Sequence, residues 1–221
     1  MTQTALKTVP PRRTARIPCA VALPILAVVV STAIQCWPAA QAALQYDRTQ
    51  ISLGQYWRLV SGHMVHWGWR HFAGDISAMV LLCWAIQPRG GWKIIVAALG
   101  GAVFISLAIM IVAPNTMIYR GMSGVNYGLL AWVILARLAA SPRPAAACYT
   151  ALLTAMAIKV SLDLAAPNLI PSVGLPEGVT LTGIAHFAGF YAGTLIWLLN
   201  RLPMQITMQH KARPRHVGLP N

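Results

Sequence analysis

The chain has 221 residues, 57% of them hydrophobic and only 10% charged, with a mean hydropathy of +0.60. That balance excludes an ordinary soluble domain and points to a helical protein that enters a membrane several times. Seventeen Lys and Arg against four Asp and Glu give a formal charge of +13, so both a nucleic-acid partner and a membrane-orientation signal have to be weighed.

In chain order, residues 1–16 are polar, basic and interrupted by Pro10 and Pro11, the composition of a disordered tail. An apolar run from Ile17 to Trp37 follows. Ala40-Gln41-Ala42 resembles a signal-peptide cleavage site, but the run has the length of a retained first span. Pro38 to Arg70 is more polar and carries Tyr46, Tyr56, Trp57, Trp67 and Trp69, rings suited to the headgroup level, so it reads as a long external loop lying in the interface. The second span is expected over His71–Ile86, with Pro88-Arg89-Gly90-Gly91 as an inner turn. The third covers Trp92–Ala113 and stops at Pro114-Asn115, the fourth Ser123–Ala139, and the fifth Ala145–Ala165. An outer loop rich in Pro and Gly over 167–178 leads to the sixth span, Leu181–Leu199, and residues 201–221 form a second basic tail. The fold class is therefore an all-α polytopic bundle of six spans over 17–200, without a separate soluble domain.

With the N-terminus cytoplasmic, twelve of the basic residues fall inside and only Arg48, Arg58, Arg70 and Arg120 outside, Lys159 lying within a span. This is the positive-inside asymmetry of a membrane protein, and it removes the need for nucleic acid. Cys19, Cys36, Cys83 and Cys148 lie in or at the ends of apolar segments with no paired spacing, as small apolar fillers do.

The stretch with chemical potential is Tyr119-Arg120-Gly121-Met122-Ser123-Gly124-Val125-Asn126-Tyr127-Gly128. It opens the fourth span with a hydroxyl, and Gly124 and Gly128 leave a notch on the neighbouring face where a second helix can approach. The sixth span supplies a matching notch: His186 is followed by Gly189 and Gly193 on its own face. Both spans begin on the outer side, so Ser123 and His186 lie at similar depth, and close packing of the notches is what a serine–histidine hydrogen bond requires. Each glycine pair alone would suit plain helix packing, but an ionisable histidine inside a span marks a functional site by default.

These motifs together resemble the rhomboid family of intramembrane serine proteases. The family's Gly-x-Ser-Gly stands here as Gly121-Met122-Ser123-Gly124 with an aromatic at Tyr127, and its His-x-x-Gly-x-x-x-Gly as His186, Gly189 and Gly193. His66, His71 and Asp75 match its second-span signature, preceded by Trp57-Arg58-Leu59. The resemblance covers about residues 17–200 and implies a catalytic dyad of Ser123 and His186 that cleaves membrane-anchored substrates without a cofactor or a metal. It also implies that Tyr127 orients the His186 ring and that the oxyanion is held by the Ser123 N–H and the His71 side chain. Family members usually carry Asn where this chain has Asp75, so Asp75 is expected to accept from His71 and hold it as a donor.

The compact chain and Tyr119-Arg120 before the serine resemble the rhombosortase branch, which implies substrates with a C-terminal Gly-Gly motif, an apolar helix and a basic end, in a bacterial inner membrane with both termini cytoplasmic. A general bacterial rhomboid is the alternative within the family. Outside it stand a rhomboid-like binding or quality-control protein, against which the retained Ser123 and His186 argue, and a small transporter, which would need ionisable residues along a central path. His63, His66, His71 and Asp75 lack dedicated metal spacing, and His66 is expected to hydrogen-bond within its loop. Lys159 and Asp163, four residues apart, are expected to pair structurally, with a substrate-gate role open. Arg120 has two open partners, lipid phosphate or a substrate carboxylate.

Overall fold

The computed structural model describes residues 19–86, 92–166 and 183–201. The expected tail over 1–16, the turn at Pro88–Gly91, the outer loop over 167–178 and all of the second tail after Arg201 lie outside these residues. The described residues are mostly helical: α1 (Cys19–Gln35), α2 (Pro38–Leu44), α3 (Arg48–Ser52), α4 (Arg58–Ser61), α5 (Trp69–Ile86), α6 (Trp92–Val112), α7 (Ser123–Leu138), α8 (Arg143–Ala165) and α9 (Gly183–Leu199). Two antiparallel two-residue strands, β1 (Tyr46–Asp47) and β2 (Ile118–Tyr119), pair Tyr46 with Tyr119. The long helices begin and end within a few residues of the positions read from the apolar runs.

Helices α6 and α8 are long and apolar enough to cross a membrane. The stretch Pro24–Gln35 with α2 makes a bent pair, turning through 114°, that counts as a third span if taken together, and α7 and α9 are shorter apolar helices. Residues 38–70 depart from a plain loop. Pro38 stands in the first turn of α2, where its missing N–H has no cost, and the Asp47 carboxylate caps α3 by accepting from the Gln50 N–H at 3.0 Å. Arg58 is buried here, its guanidinium donating to the Ala42 and Gln45 carbonyls and to the Gln55 side chain. A guanidinium with five donors can hold the ends of several short elements at once, which is how so polar a segment becomes ordered.

Arg48 performs the same service for a longer helix. Its guanidinium donates to the carbonyls of Ile109, Met110, Ala113 and Thr116, at 2.9 to 3.3 Å, around the C-terminal end of α6. Two of them, Ile109 and Ala113, also accept backbone N–H groups, so the guanidinium adds a second donor there and supplies one to Met110 in the last turn of the helix.

Among the described residues, α7 and α9 approach each other backbone to backbone. A Cβ added at Gly124 would stand 2.7 Å from the Ala185 carbonyl oxygen, and one at Gly128 2.8 Å from that of Gly189. Conversely, a Cβ on Gly189 or Gly193 would overlap the backbone of Gly124 or Gly128. The two notches thus interlock, backbone against backbone, as small-residue seams between membrane helices do. On one side a core of Ile76, Met79, Ile94, Ile105, Val125 and Leu129 joins α5, α6 and α7. On the other, Ala131, Ile134, Met156, Val160 and Phe190 join α7, α8 and α9, and bring α8 under the same site.

Candidate active site

Ser123 is the first residue of α7, and the N–H groups of a helix's first turn have no partners within the helix. The loop that delivers it turns at Gly121, whose φ of +129° favours glycine. Space requires glycine there too, since a Cβ would lie 2.7 Å from Cε1 and 2.9 Å from Nε2 of His71. Tyr119 steadies the same loop by donating its hydroxyl to the Gly121 carbonyl at 2.9 Å. Burial raises the pKa of that phenol, so it stays a donor.

Across the glycine seam, His186 is 3% exposed and its Nε2 lies 3.0 Å from Ser123 Oγ. This is hydrogen-bond distance between a hydroxyl and a base. The Tyr127 ring, one helical turn after Ser123, lies on the imidazole with centroids 4.6 Å apart and planes inclined by 35°. The other ring nitrogen, Nδ1, is 2.7 Å from Oδ2 of the buried Asp163 on α8. The same carboxylate oxygen receives the Lys159 ammonium from the preceding turn, and that ammonium also lies 5.2 Å from the Tyr127 ring centroid. Lys159 and Asp163 do pair, but their place is beside the histidine, which the reading of a purely structural pair did not include. The available signal was depth: Asp163 lies near the end of the fifth span that faces the start of the sixth. Gly183, at the start of α9, abuts the Asp163 backbone and brings the two ends together.

The second polar cluster centres on Asp75, which is buried on α5. Its Oδ2 accepts the Met122 N–H at 2.6 Å and lies 3.3 Å from Nε2 of both His71 and His66. The expectation that Asp75 serves His71 is therefore modified, because the short bond goes to the backbone one residue before the serine. Asn126 adds a second tie between α5 and α7 by donating from Nδ2 to the Asp75 carbonyl at 2.8 Å. His66 does not hydrogen-bond within its loop. It is fully buried, packs edge-on against His71 and Phe72, and faces Asp75.

His63 packs on the Tyr119 ring behind the serine loop, with centroids 5.3 Å apart, and its Nε2 lies 3.0 Å from the Ala102 carbonyl and 3.1 Å from Ser106 Oγ. Burial pushes its pKa down to about 4, so it packs as a neutral donor. Arg120 is half-buried, donating to the Gln45 and Gln41 side chains and lying 4.5 Å from the Trp67 ring centroid. It joins α2 to the serine loop. Cys36 and Cys148 are exposed and Cys83 is buried, all three as free thiols.

Fold and site together define a helical membrane protein in which a serine and a histidine from separate helices meet beside a glycine seam. A family model described as a rhomboid domain matches residues 53–201, and the chain belongs to the rhomboid family. No curated protein matches it. It is an integral membrane protein of a family that acts on membrane-protein substrates within the bilayer.

Proposed function

We propose that this protein is an intramembrane serine endopeptidase. The observation that carries the reading is the 3.0 Å contact between Ser123 Oγ and His186 Nε2. On this reading Oγ attacks the scissile carbonyl carbon while its proton passes to Nε2. The tetrahedral intermediate collapses with cleavage of the C–N bond, and the same proton goes to the leaving amine nitrogen. A water molecule then repeats the sequence on the acyl-enzyme, with His186 again the base. The Ser123 N–H and the His71 side chain serve as oxyanion donors, and Gly121 and Gly124 keep this corner free of side-chain bulk.

The bundle spans the membrane six times, α1 and α5 to α9 each crossing once, with both termini in the cytoplasm of a bacterial cell and the site toward the outer face. Residues 17–200 form the membrane domain, between two basic tails. Substrates are single-span proteins, and the Tyr119-Arg120 flank favours the rhombosortase class with C-terminal Gly-Gly tails. Two experiments test the reading. A fluorophosphonate probe is expected to label the purified protein and to fail on Ser123→Ala; a folded wild type that takes no probe would favour a binding protein. Proteoliposomes given a tagged Gly-Gly tail substrate and a generic transmembrane substrate are expected to cleave the former, and equal cleavage of both would indicate a general rhomboid.

A further inference from the structure

The structure assigns a third member to the Ser123–His186 pair: Asp163 is a positioning residue that fixes the tautomer and orientation of the catalytic imidazole, with Lys159 as its counter-charge. The inference rests on the protease reading for its kinetic consequence, but its geometry stands independently. A carboxylate only accepts, so the 2.7 Å contact requires that Nδ1 carry the ring proton. Nε2 is then left as a lone pair facing the Ser123 hydroxyl 3.0 Å away. Without Asp163 the neutral ring is free to place its proton on Nε2, a form that cannot accept from serine.

When the Oγ–H bond breaks and the proton moves to Nε2, the ring becomes cationic beside a carboxylate that is already in contact. The proton stays on the imidazole until the C–N bond breaks and the amine nitrogen takes it; Asp163 neither gains nor loses one. A lone carboxylate among apolar helices would be costly, and Lys159 offsets that cost from the preceding turn of the same helix. Among the described residues, Ser123 and Tyr127 on α7 and Asp163 on α8 meet the imidazole, and Lys159 stands behind them against Asp163 and the Tyr127 ring. Three helices converge on one ring, and each contributes a different constraint.

The test uses the full-length protein in proteoliposomes. Asp163→Asn is expected to lower kcat about a hundredfold or more, with KM within about threefold of wild type. Because Asp163→Asn orphans a cation, Lys159→Met combined with Asp163→Asn removes both charges together, and it is expected to fold and to show the same kcat loss. Nitrogen-15 NMR of labelled histidine, with His186 assigned by difference from His186→Gln, reads the tautomer without any need for turnover. Wild type is expected to carry the proton on Nδ1, and Asp163→Asn to lose that preference. An Nε2–H form in wild type would overturn the assignment, as would a kcat within threefold of wild type in both variants. Should wild type cleave nothing and take no fluorophosphonate, the protease reading fails while the NMR comparison still decides whether Asp163 sets the ring.

Discussion

Two buried aspartates lie beside histidines in this protein, and they hold different things. Asp163 meets an imidazole nitrogen at 2.7 Å and is neutralised by a lysine on its own helix. Asp75 makes its short contact with a backbone amide, at 2.6 Å, and both of its histidines stand farther off, at 3.3 Å. The same pair of residue types therefore serves a buried imidazole in one place and a loop in the other. The distinction lies in the acceptor's nearest donor, and neither residue identity nor i,i+4 spacing reveals it.

The largest effects test what the two clusters share. Ser123→Ala and His186→Ala are each expected to reduce peptide cleavage by about 10⁴-fold or more, to background, without loss of fold, measured on a tagged transmembrane substrate. Gly189→Val comes next. Its side chain meets the Gly124 backbone, which cannot move aside, so thermal unfolding in detergent should shift down and probe labelling at Ser123 should disappear. A fully labelled, equally stable Gly189→Val would mean that the seam does not set the serine–histidine distance.

Smaller effects sharpen the contrast between the carboxylates. Asp75→Asn keeps an oxygen able to accept from Met122 N–H but loses its charge, and kcat should fall only about tenfold. That is less than is expected of Asp163→Asn, and equal losses would dissolve the contrast. Tyr127→Leu removes a flat surface from one side of the His186 ring and should cost about three- to tenfold in kcat with the fold intact; an unchanged kcat would make the tyrosine ordinary packing.

Much of this was legible in the sequence because apolar runs and glycine spacing are strong signals. The helices from α5 to α9 follow the hydropathy, and the paired notches at Gly124, Gly128, Gly189 and Gly193 foretell a seam that only bare backbone permits. Residues 38–70 were harder. Their order comes from Arg58 and Arg48 reaching carbonyls far along the chain, and nothing in local pattern names a guanidinium's acceptors. Asp163 escaped for the same reason: its i,i+4 lysine is visible in sequence, whereas a histidine 23 residues away becomes its neighbour only through the packing of α8 on α9. The hydrogen bond from Met122 to Asp75 likewise depends on the positive φ of Gly121 and on the placement of α5.

Arg48 has one more consequence, for how deep the end of α6 can lie. A helix end normally needs water for its last carbonyls and so is tethered to the aqueous boundary. At the end of α6 a side chain supplies donors to the Ile109 and Met110 carbonyls and to Ala113 just beyond, and the strand beside Arg48 pairs with the one leading to the serine. This corner of the bundle leans less on water than a bare helix end does, and on the proposed reading the serine beside it can lie correspondingly deeper.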